Sequence, residues 1–545
     1  MSVFLSRPFA LLAGLSLLFL ISGCARRETA VESGGRTQTL HRGIGAEIGD
    51  LDPHLVTNIA EMDIVSALFE GLVTEDPVDL HPVAGVAERW EISSDQLTYT
   101  FHLRANARWS DGTPVTSNDF AAAWRRMLTP SLAAENASLL HVIQGAEAYH
   151  RGVTLDFTQV GVAAIDPRTL RVTLEHATPY FLSLLTHPAW LPLNMRSITA
   201  HGSPTARGNA WARPGRLIGN GAFVLKSWEP NQVLVVEKSP TYWDAATVRL
   251  QAIHFYPIDS IDAEERTFRA GQLHLTYVLP HSKIERYRRD APQFLRTDPY
   301  LHTYFLRLNV LRPPLADQRV RRALALTVDR AAIVGKILHG GQLAATRITP
   351  PNLPGYTPTA GTSPSFEAAA DEGRALLAAA GYPGGKGLPA LELLHNTSEN
   401  HRLLAEALQE MWRRELGLDV KLVNQEFKVT LAERSAGRYQ ILLSDWVGDY
   451  LDATTFLDLW SSGSGNNHTG WSSADYDARL FAAARQPDAT ARAAQLQQAE
   501  TLMLTAAPIA PLYYNTHVFL LHPSVHGWNP TLLDHHPYKH VWLEN

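Results

Sequence analysis

Leu97-Thr98-Tyr99-Thr100-Phe101-His102-Leu103-Arg104, followed closely by Trp109-Ser110-Asp111-Gly112-Thr113-Pro114-Val115-Thr116, is the stretch from which the architecture can be read. Its first part alternates apolar and polar residues with a period of two, the mark of a strand with one buried and one wet face. Asp111-Gly112-Thr113-Pro114 is turn chemistry. Thr116 with Asp119 three residues on has the form of a capping box, and Phe120, Trp124, Met127 and Leu128 give the helix that follows one apolar face. Strand, turn and helix in immediate succession predict a mixed α/β chain.

The pattern continues outward. Strands are expected at Thr169–Glu175 and in Ala222–Lys238, where Glu229-Pro230-Asn231-Gln232 separates two β-rich runs as a hairpin connection. Helical periodicity dominates the second half, at Arg319–Leu338, Phe366–Ala380 before Gly381, Asn400–Leu416 before Gly417, and Ala491–Ala506. Leu418–Val423 and Gln440–Leu443 are apolar and β-prone, so residues 301–515 read as an α/β unit. Thr349–Ser365 and Pro383–Pro389, rich in proline and glycine, read as surface loops. No internal repeat is present.

At the N-terminus, Arg7 precedes an apolar run from Phe9 to Ile21 that is shorter than the roughly 20 residues needed to cross a bilayer. The run ends in Ile21-Ser22-Gly23-Cys24, which contains the chain's single cysteine. This resembles the lipobox of a bacterial lipoprotein signal peptide (residues 1–23), with Cys24 as the lipid-bearing residue. An ordinary secretory signal with a chance cysteine is the alternative. Residues 24–39 then read as a flexible tether, with ordered structure from about Leu40. With Cys24 committed to lipid, no disulfide is available and stability must come from packing. At 545 residues the chain supports several domains with ample core. Its formal charge of −6 becomes one unit more negative when residues 1–23, which hold Arg7 and no acid, are removed, so nucleic acid is excluded as a partner. No second apolar run reaches membrane-spanning length.

Ala84-Gly85-Val86-Ala87-Glu88-Arg89-Trp90-Glu91-Ile92, continuing through Leu97–Arg104 to Trp109–Thr116, is similar to the signature of the oligopeptide-binding family of transporter-associated solute-binding proteins. Leu51-Asp52-Pro53-His54, Leu68-Phe69-Glu70-Gly71-Leu72, Gly219–Glu237, Tyr242-Trp243, Asp317–Leu324, Trp446-Val447-Gly448-Asp449-Tyr450 and Pro511-Leu512-Tyr513-Tyr514 resemble the same family in the same order. The resemblance implies a two-lobed α/β fold of the periplasmic-binding-protein type (Venus flytrap, type II-like, with an extra domain). Domain I would be assembled from 40–75, 200–300 and 517–545, domain II would be 76–199, and domain III 301–516. Hinge strands are expected near Tyr300–Leu308 and Ala510–His517. The implied function is that of an extracytoplasmic binding component of an ABC importer, monomeric and without cofactor, which encloses an oligopeptide and delivers it to permease subunits driven by their own ATPases. It would sit on the periplasmic or cell-surface side, held to the membrane through the lipid on Cys24.

In that family the segment matching Ser444–Tyr450 runs beside the bound peptide and its last acid, here Asp449, receives the peptide's α-amino group. A carboxylate can both pair with a desolvated amine and accept its hydrogen bonds. Peptides of many sequences share a backbone and two charged ends, so a tolerant receptor should read main chain by strand addition and leave side chains in wet pockets. The resemblance places that main-chain recognition at Asp445, Trp446 and Val447 and, in domain I, at Thr57, Asn58 and Ile59. Trp446 is expected to stack on the ligand or to fill core. Tyr277, Tyr514 and Asn515 are expected near cleft and hinge. The chain departs from some relatives in having Leu443 where an arginine receives a short peptide's carboxylate, so peptide length preference does not carry over, and in having Asn136 for a tyrosine and His274 for an acid, so its side-chain pockets are expected to be its own.

Neither a nucleophile with its base nor a metal cluster at ligand spacing is present, so an enzyme is not expected. His535-His536-Pro537-Tyr538-Lys539-His540 lacks zinc spacing and reads as an exposed loop. The competing readings are a murein-peptide or other solute receptor of the same fold, and a lipoprotein sensor or chaperone without a transport role.

Overall fold

The computed structural model describes residues 28–351, 353–356 and 365–544, so Cys24 and the apolar run before it lie outside the described residues. The signature stretch folds as its pattern requires. Thr98–Leu103 is a strand with alternating burial, and Thr116 donates both its N–H and its hydroxyl to Asp119 at the start of the helix Ser117–Leu128. The strand is central in an antiparallel sheet ordered 87–92, 98–103, 169–173, 162–166. A second four-stranded sheet is ordered 39–43, 252–256, 233–238, 223–229, its first pair parallel and the rest antiparallel. Phe101, Leu170, Trp124, Phe223, Val236 and Phe255, all fully buried, join both sheets into one continuous core, which is the first lobe.

The second lobe is built on a six-stranded mixed sheet ordered 343–344, 509–520, 295–308, 441–447, 391–396, 420–425. Leu306, Leu393, Ile441 and Leu512 fill one face beneath the helices Gln318–Leu326 and Glu399–Leu416, and Phe305, Phe456, Trp460 and Met503 fill the other. Two long strands, Leu295–Leu308 and Ile509–Leu520, run antiparallel from one lobe to the other. Leu295–Pro299 pairs with Leu520–Thr516 next to the first lobe, and Thr303–Arg307 pairs with Tyr514–Ile509 inside the second. The register breaks between Pro299 and Thr303.

Three expectations are corrected. Ala30–Thr37 is a helix rather than part of a tether, capped by reciprocal Thr29–Glu32 hydrogen bonds, and strand structure begins at Thr39. Its Gly34 and Gly35 are buried, a close approach that a scan for apolar periodicity misses because glycine carries no apolar side chain. A Cβ on Gly34 would lie 2.5 Å from the His274 ring and 2.8 Å from the Thr39 carbonyl. Gly34→Ala is therefore expected to destabilise the protein by about 1–3 kcal/mol and to expose residues 30–37 to limited proteolysis. The predicted helix Arg319–Leu338 is interrupted after Leu326, where Asp329 accepts from the Ala332 N–H and starts a new turn. The expected loop after Thr349 begins as core, because Thr349, Leu353 and Tyr356 are buried and Glu500, itself fully buried, gathers the N–H groups of Ile348 and Thr349 and the Tyr356 hydroxyl.

Candidate functional site

The strand Ile441–Val447 carries the site. One of its edges is paired along its whole length with Leu308–His302. The opposite edge meets a neighbour only at Ile441 and Leu442, where Leu393 and Leu394 pair in parallel. Among the described residues no strand pairs with that edge from Leu443 to Val447, so its main-chain groups have no strand partner there, the condition for strand addition. Leu443 itself is 4% exposed and belongs to the core.

At the end of this edge the chain turns. The Gly448 N–H is donated to the Leu301 carbonyl at 2.7 Å, and the Leu301 N–H to Leu532 at 2.6 Å, which ties the turn to the C-terminal segment. Asp449 follows, its N–H donated to Thr455 Oγ1 at 2.9 Å. Its carboxylate has no hydrogen-bond or ion-pair partner among the described residues. Burial pushes it up to about 7, and the charge that opposes this among the described residues is His535. His535 lies in a loop and keeps 37% of its side-chain surface, but it is not free. Burial alone would lower it, but Glu75, 2.9 Å from its Nδ1, raises it to about 9, so the imidazolium persists at neutral pH. Its neighbour His536 is buried, hydrogen-bonded to Asp534 and stacked on Trp528 at 4.0 Å. The exposed-loop expectation holds only in part: the segment is a loop with His540 exposed, but His536 is buried beside the neighbouring Asp534 and His535 is paired with Glu75, an acid remote in sequence.

Four residues before Asp449, on the strand itself, Asp445 keeps 43% of its side-chain surface while accepting from His302 Nε2 at 3.1 Å. Asn515 Nδ2 donates to the other ring nitrogen of His302 at 3.2 Å, and Gln342 reaches Asn515 Oδ1 at 3.4 Å. Burial would raise Asp445, yet the His302 hydrogen bond, with Arg307 and the histidine rings nearby, holds it below the ordinary carboxylate range. Tyr304 lies on the same face, stacked on Tyr513 at 4.6 Å and edge-on to His401 at 5.7 Å. The site thus has an unpaired acid at one end of an open strand edge and a histidine- and tyrosine-lined patch further along it.

Strand alternation sorts the remaining candidates. Tyr513 and Asn515 share the Asp445 face, whereas Tyr514 lies on the other, beside Arg347, Arg330 and Glu500. Trp446 packs half-buried against the core of Phe305 and Trp460, with its indole N–H buried and unbonded. Val447 is half-buried opposite His302. Tyr277 stands at the crossing between the lobes, where its carbonyl accepts from His517 Nε2 at 2.6 Å and burial pushes its hydroxyl up to about 12. Thr57, Asn58 and Ile59 do not form a second strand. Asn58 caps the helix Ile59–Leu68 by accepting from the Glu61 N–H at 3.0 Å, and Glu61 accepts from the Thr57 N–H at 3.4 Å. No hydrogen bond or ring contact joins these three to residues 445–449. His302, His401, Tyr304, Tyr513 and His535 were not foreseen. Only the strand alternation around 302 and 513 could have pointed to His302, Tyr304 and Tyr513, and nothing local marks His401, which sits on the helix Glu399–Leu416, or His535.

The family model of bacterial extracellular solute-binding proteins, family 5 (middle), matches residues 81–468. The chain is 37% identical over 496 residues to the periplasmic oligopeptide-binding protein OppA of Escherichia coli, covering 90% of each chain, and 38% identical over 498 residues to the periplasmic murein peptide-binding protein MppA of the same organism, again covering 90% of each. It is 38% identical over 487 residues, 88% of each chain, to the probable deoxycholate-binding periplasmic protein YgiS of E. coli. Among solved structures, that of E. coli MppA superposes with a TM-score of 0.83 at 36% identity over 93% of this chain and 98% of that one. Its unliganded open form gives 0.75 over 93% and 97%. Haemophilus influenzae OppA in complex with RPPGFSPFR gives 0.82 at 32% identity over 93% and 99%.

Proposed function

Because the chain belongs to the family 5 bacterial extracellular solute-binding proteins, we propose that it is the substrate-binding component of an ABC importer, closing two lobes around an extended oligopeptide and delivering it to the membrane permease. The observation that carries this reading is the open strand edge Leu443–Val447 ending at an acid with no partner. A peptide laid along that edge gains main-chain hydrogen bonds whatever its sequence, and its α-amino group reaches Asp449 as the chain runs out. The amine is then the counter-charge that a desolvated carboxylate lacks. Asp445, Trp446 and Val447 supply the edge, Asn515 orients His302 beside it, and Tyr277 and Tyr514 belong to the strands and crossings on which the lobes turn. Thr57–Ile59, spent on a helix cap, are kept only as a nearby rim of the first lobe.

The domain division 40–75 with 200–300 and 517–545, then 76–199, then 301–516, belongs to this reading, with the hinge at the register break near Tyr300. So do a lipid on Cys24, action as a monomer on the extracytoplasmic side, and transport energy from partner ATPases. Murein peptides carry a free amine and would use Asp449 equally well. A bile acid or other ligand without an amine would leave Asp449 idle.

The test is calorimetric titration of protein stripped of carried-over ligand by unfolding and refolding. Short peptides with free amines are expected to bind at micromolar or tighter Kd, and their N-acetylated copies about a hundredfold more weakly. A folded protein that binds acetylated and free peptides alike, or binds deoxycholate and no peptide, would sink the reading.

A further inference from the structure

Tyr180 stands in the first lobe just before the short helix Phe181–Leu184, half-buried against that lobe's core. Its ring lies flat on Tyr450 of the second lobe, with centroids 5.1 Å and planes 8° apart. The Arg492 guanidinium stands 5.5 Å from the Tyr180 centroid. Arg492 is held there by two hydrogen bonds to Asp452, at 2.7 and 2.8 Å, both side chains 9% exposed. Asp452 in turn accepts the N–H and hydroxyl of Thr454, and the Tyr450 and Thr454 hydroxyls are 3.2 Å apart. The receiving surface is therefore fixed within the second lobe, on residues 450–454 and the helix Ala489–Ala506, and Tyr180 reaches it from across the cleft.

We propose that Tyr180 is a closure-determining residue, gripped by Tyr450 and Arg492 when the lobes meet, and that it sets ligand affinity without touching ligand. The inference rests on the reading of this protein as a receptor that closes on its ligand. Tyr450 is the next residue after Asp449, and Thr454 and Thr455, which hold Tyr450 and the Asp449 N–H, are also consecutive. The amine site and the grip on the other lobe thus hang on one turn of chain. A ligand that binds only the closed arrangement has an apparent Kd equal to its intrinsic Kd divided by the closed fraction. An aromatic stack and a cation over its ring, formed only on closure, raise that fraction about tenfold.

Tyr180→Ala and Tyr180→Leu are both expected to weaken peptide binding about tenfold, with the loss in the dissociation rate. The loss should be equal for free and N-acetylated peptides, whereas Asp449→Ala should affect only the former. Tyr180→Phe keeps the stack but loses the hydroxyl contact with Thr454, so it should retain most of the affinity and weaken binding by less than about threefold. A measurement without peptide judges the grip separately: interlobe distances between nitroxides at Val153→Cys and Leu311→Cys, sites 79% and 71% exposed, in a Cys24→Ser background. The ligand-free protein is expected to show a short-distance population that falls about tenfold in both Tyr180→Ala and Tyr180→Leu. Unchanged distances, no short-distance population in the parent, or unchanged affinities would overturn the proposal. Peptides that fail to bind the parent would instead remove the peptide reading, with the distances still deciding the grip.

Discussion

Asp449→Asn is expected to weaken binding of free-amine peptides by on the order of a hundredfold while raising the melting temperature of the ligand-free protein at pH 7.5. The first effect follows from leaving a peptide amine desolvated without a counter-charge. The second follows from linkage. Burial lifts the Asp449 carboxyl from an ordinary 3.8 to about 7, so the folded state holds this proton more tightly than the unfolded chain. Folding is then penalised progressively as pH rises through about 4 to 7, and the full penalty persists above 7. Asparagine removes it, so variant and wild type should melt alike at pH 4 and diverge in the variant's favour by pH 7.5. Binding has the opposite dependence. Ligand needs the carboxylate, so affinity should fall by up to about tenfold for each pH unit below about 7, and should decline again above about 8 as the peptide amine loses its proton. The acid limb should vanish in Asp449→Asn. Calorimetry from pH 5 to 9 beside melting curves at the two pH values reads both effects, and an unchanged acid limb would remove Asp449 from the amine site.

The largest loss of stability is expected from Arg126→Ala. Arg126, on the helix Ser117–Leu128, forms a two-pronged ion pair with Asp52 at 2.5 and 3.0 Å, the side chains 1% and 3% exposed. Removing the cation leaves a carboxylate buried and uncompensated, which destabilises by about 3–5 kcal/mol and should lower the melting temperature by roughly 5–10 °C. The Asp52 main chain also accepts from Leu55 and Val56, so the turn into the helix Ile59–Leu68 should loosen with it. Replacing both partners, as in Arg126→Met with Asp52→Leu, should recover most of the loss, because the penalty belongs to the orphaned charge rather than to absence of the pair. A double variant as unstable as Arg126→Ala would mean that the pair itself holds the fold.

Much of this was legible residue by residue. Period-two alternation in Thr98–Leu103 and the Thr116–Asp119 cap placed a strand and a helix from neighbours alone, since both are set by interactions within a few residues. Gly417 in the left-handed region at the end of Glu399–Leu416 is legible for the same reason. The helix Ala30–Thr37 was not, because its burial depends on Gly34 fitting beneath His274, a contact with no local signature. His535 was misread for a similar cause: its charge is fixed by Glu75, far away in the chain.

The sequence by itself determined that this is a two-lobed α/β protein of a solute-binding family and that Asp449 is the acid to examine, because strand and helix periods, caps and family motifs are carried by short runs of residues. Tertiary structure alone decided that the edge Leu443–Val447 is open, that Tyr513 and Asn515 face Asp445 while Tyr514 turns away, and that Tyr180 reaches Tyr450 across the cleft. Those facts depend on which strand stops short, on register across a sheet, and on two lobes brought together. Each is a relation between residues distant in the chain, set by the packing of the whole.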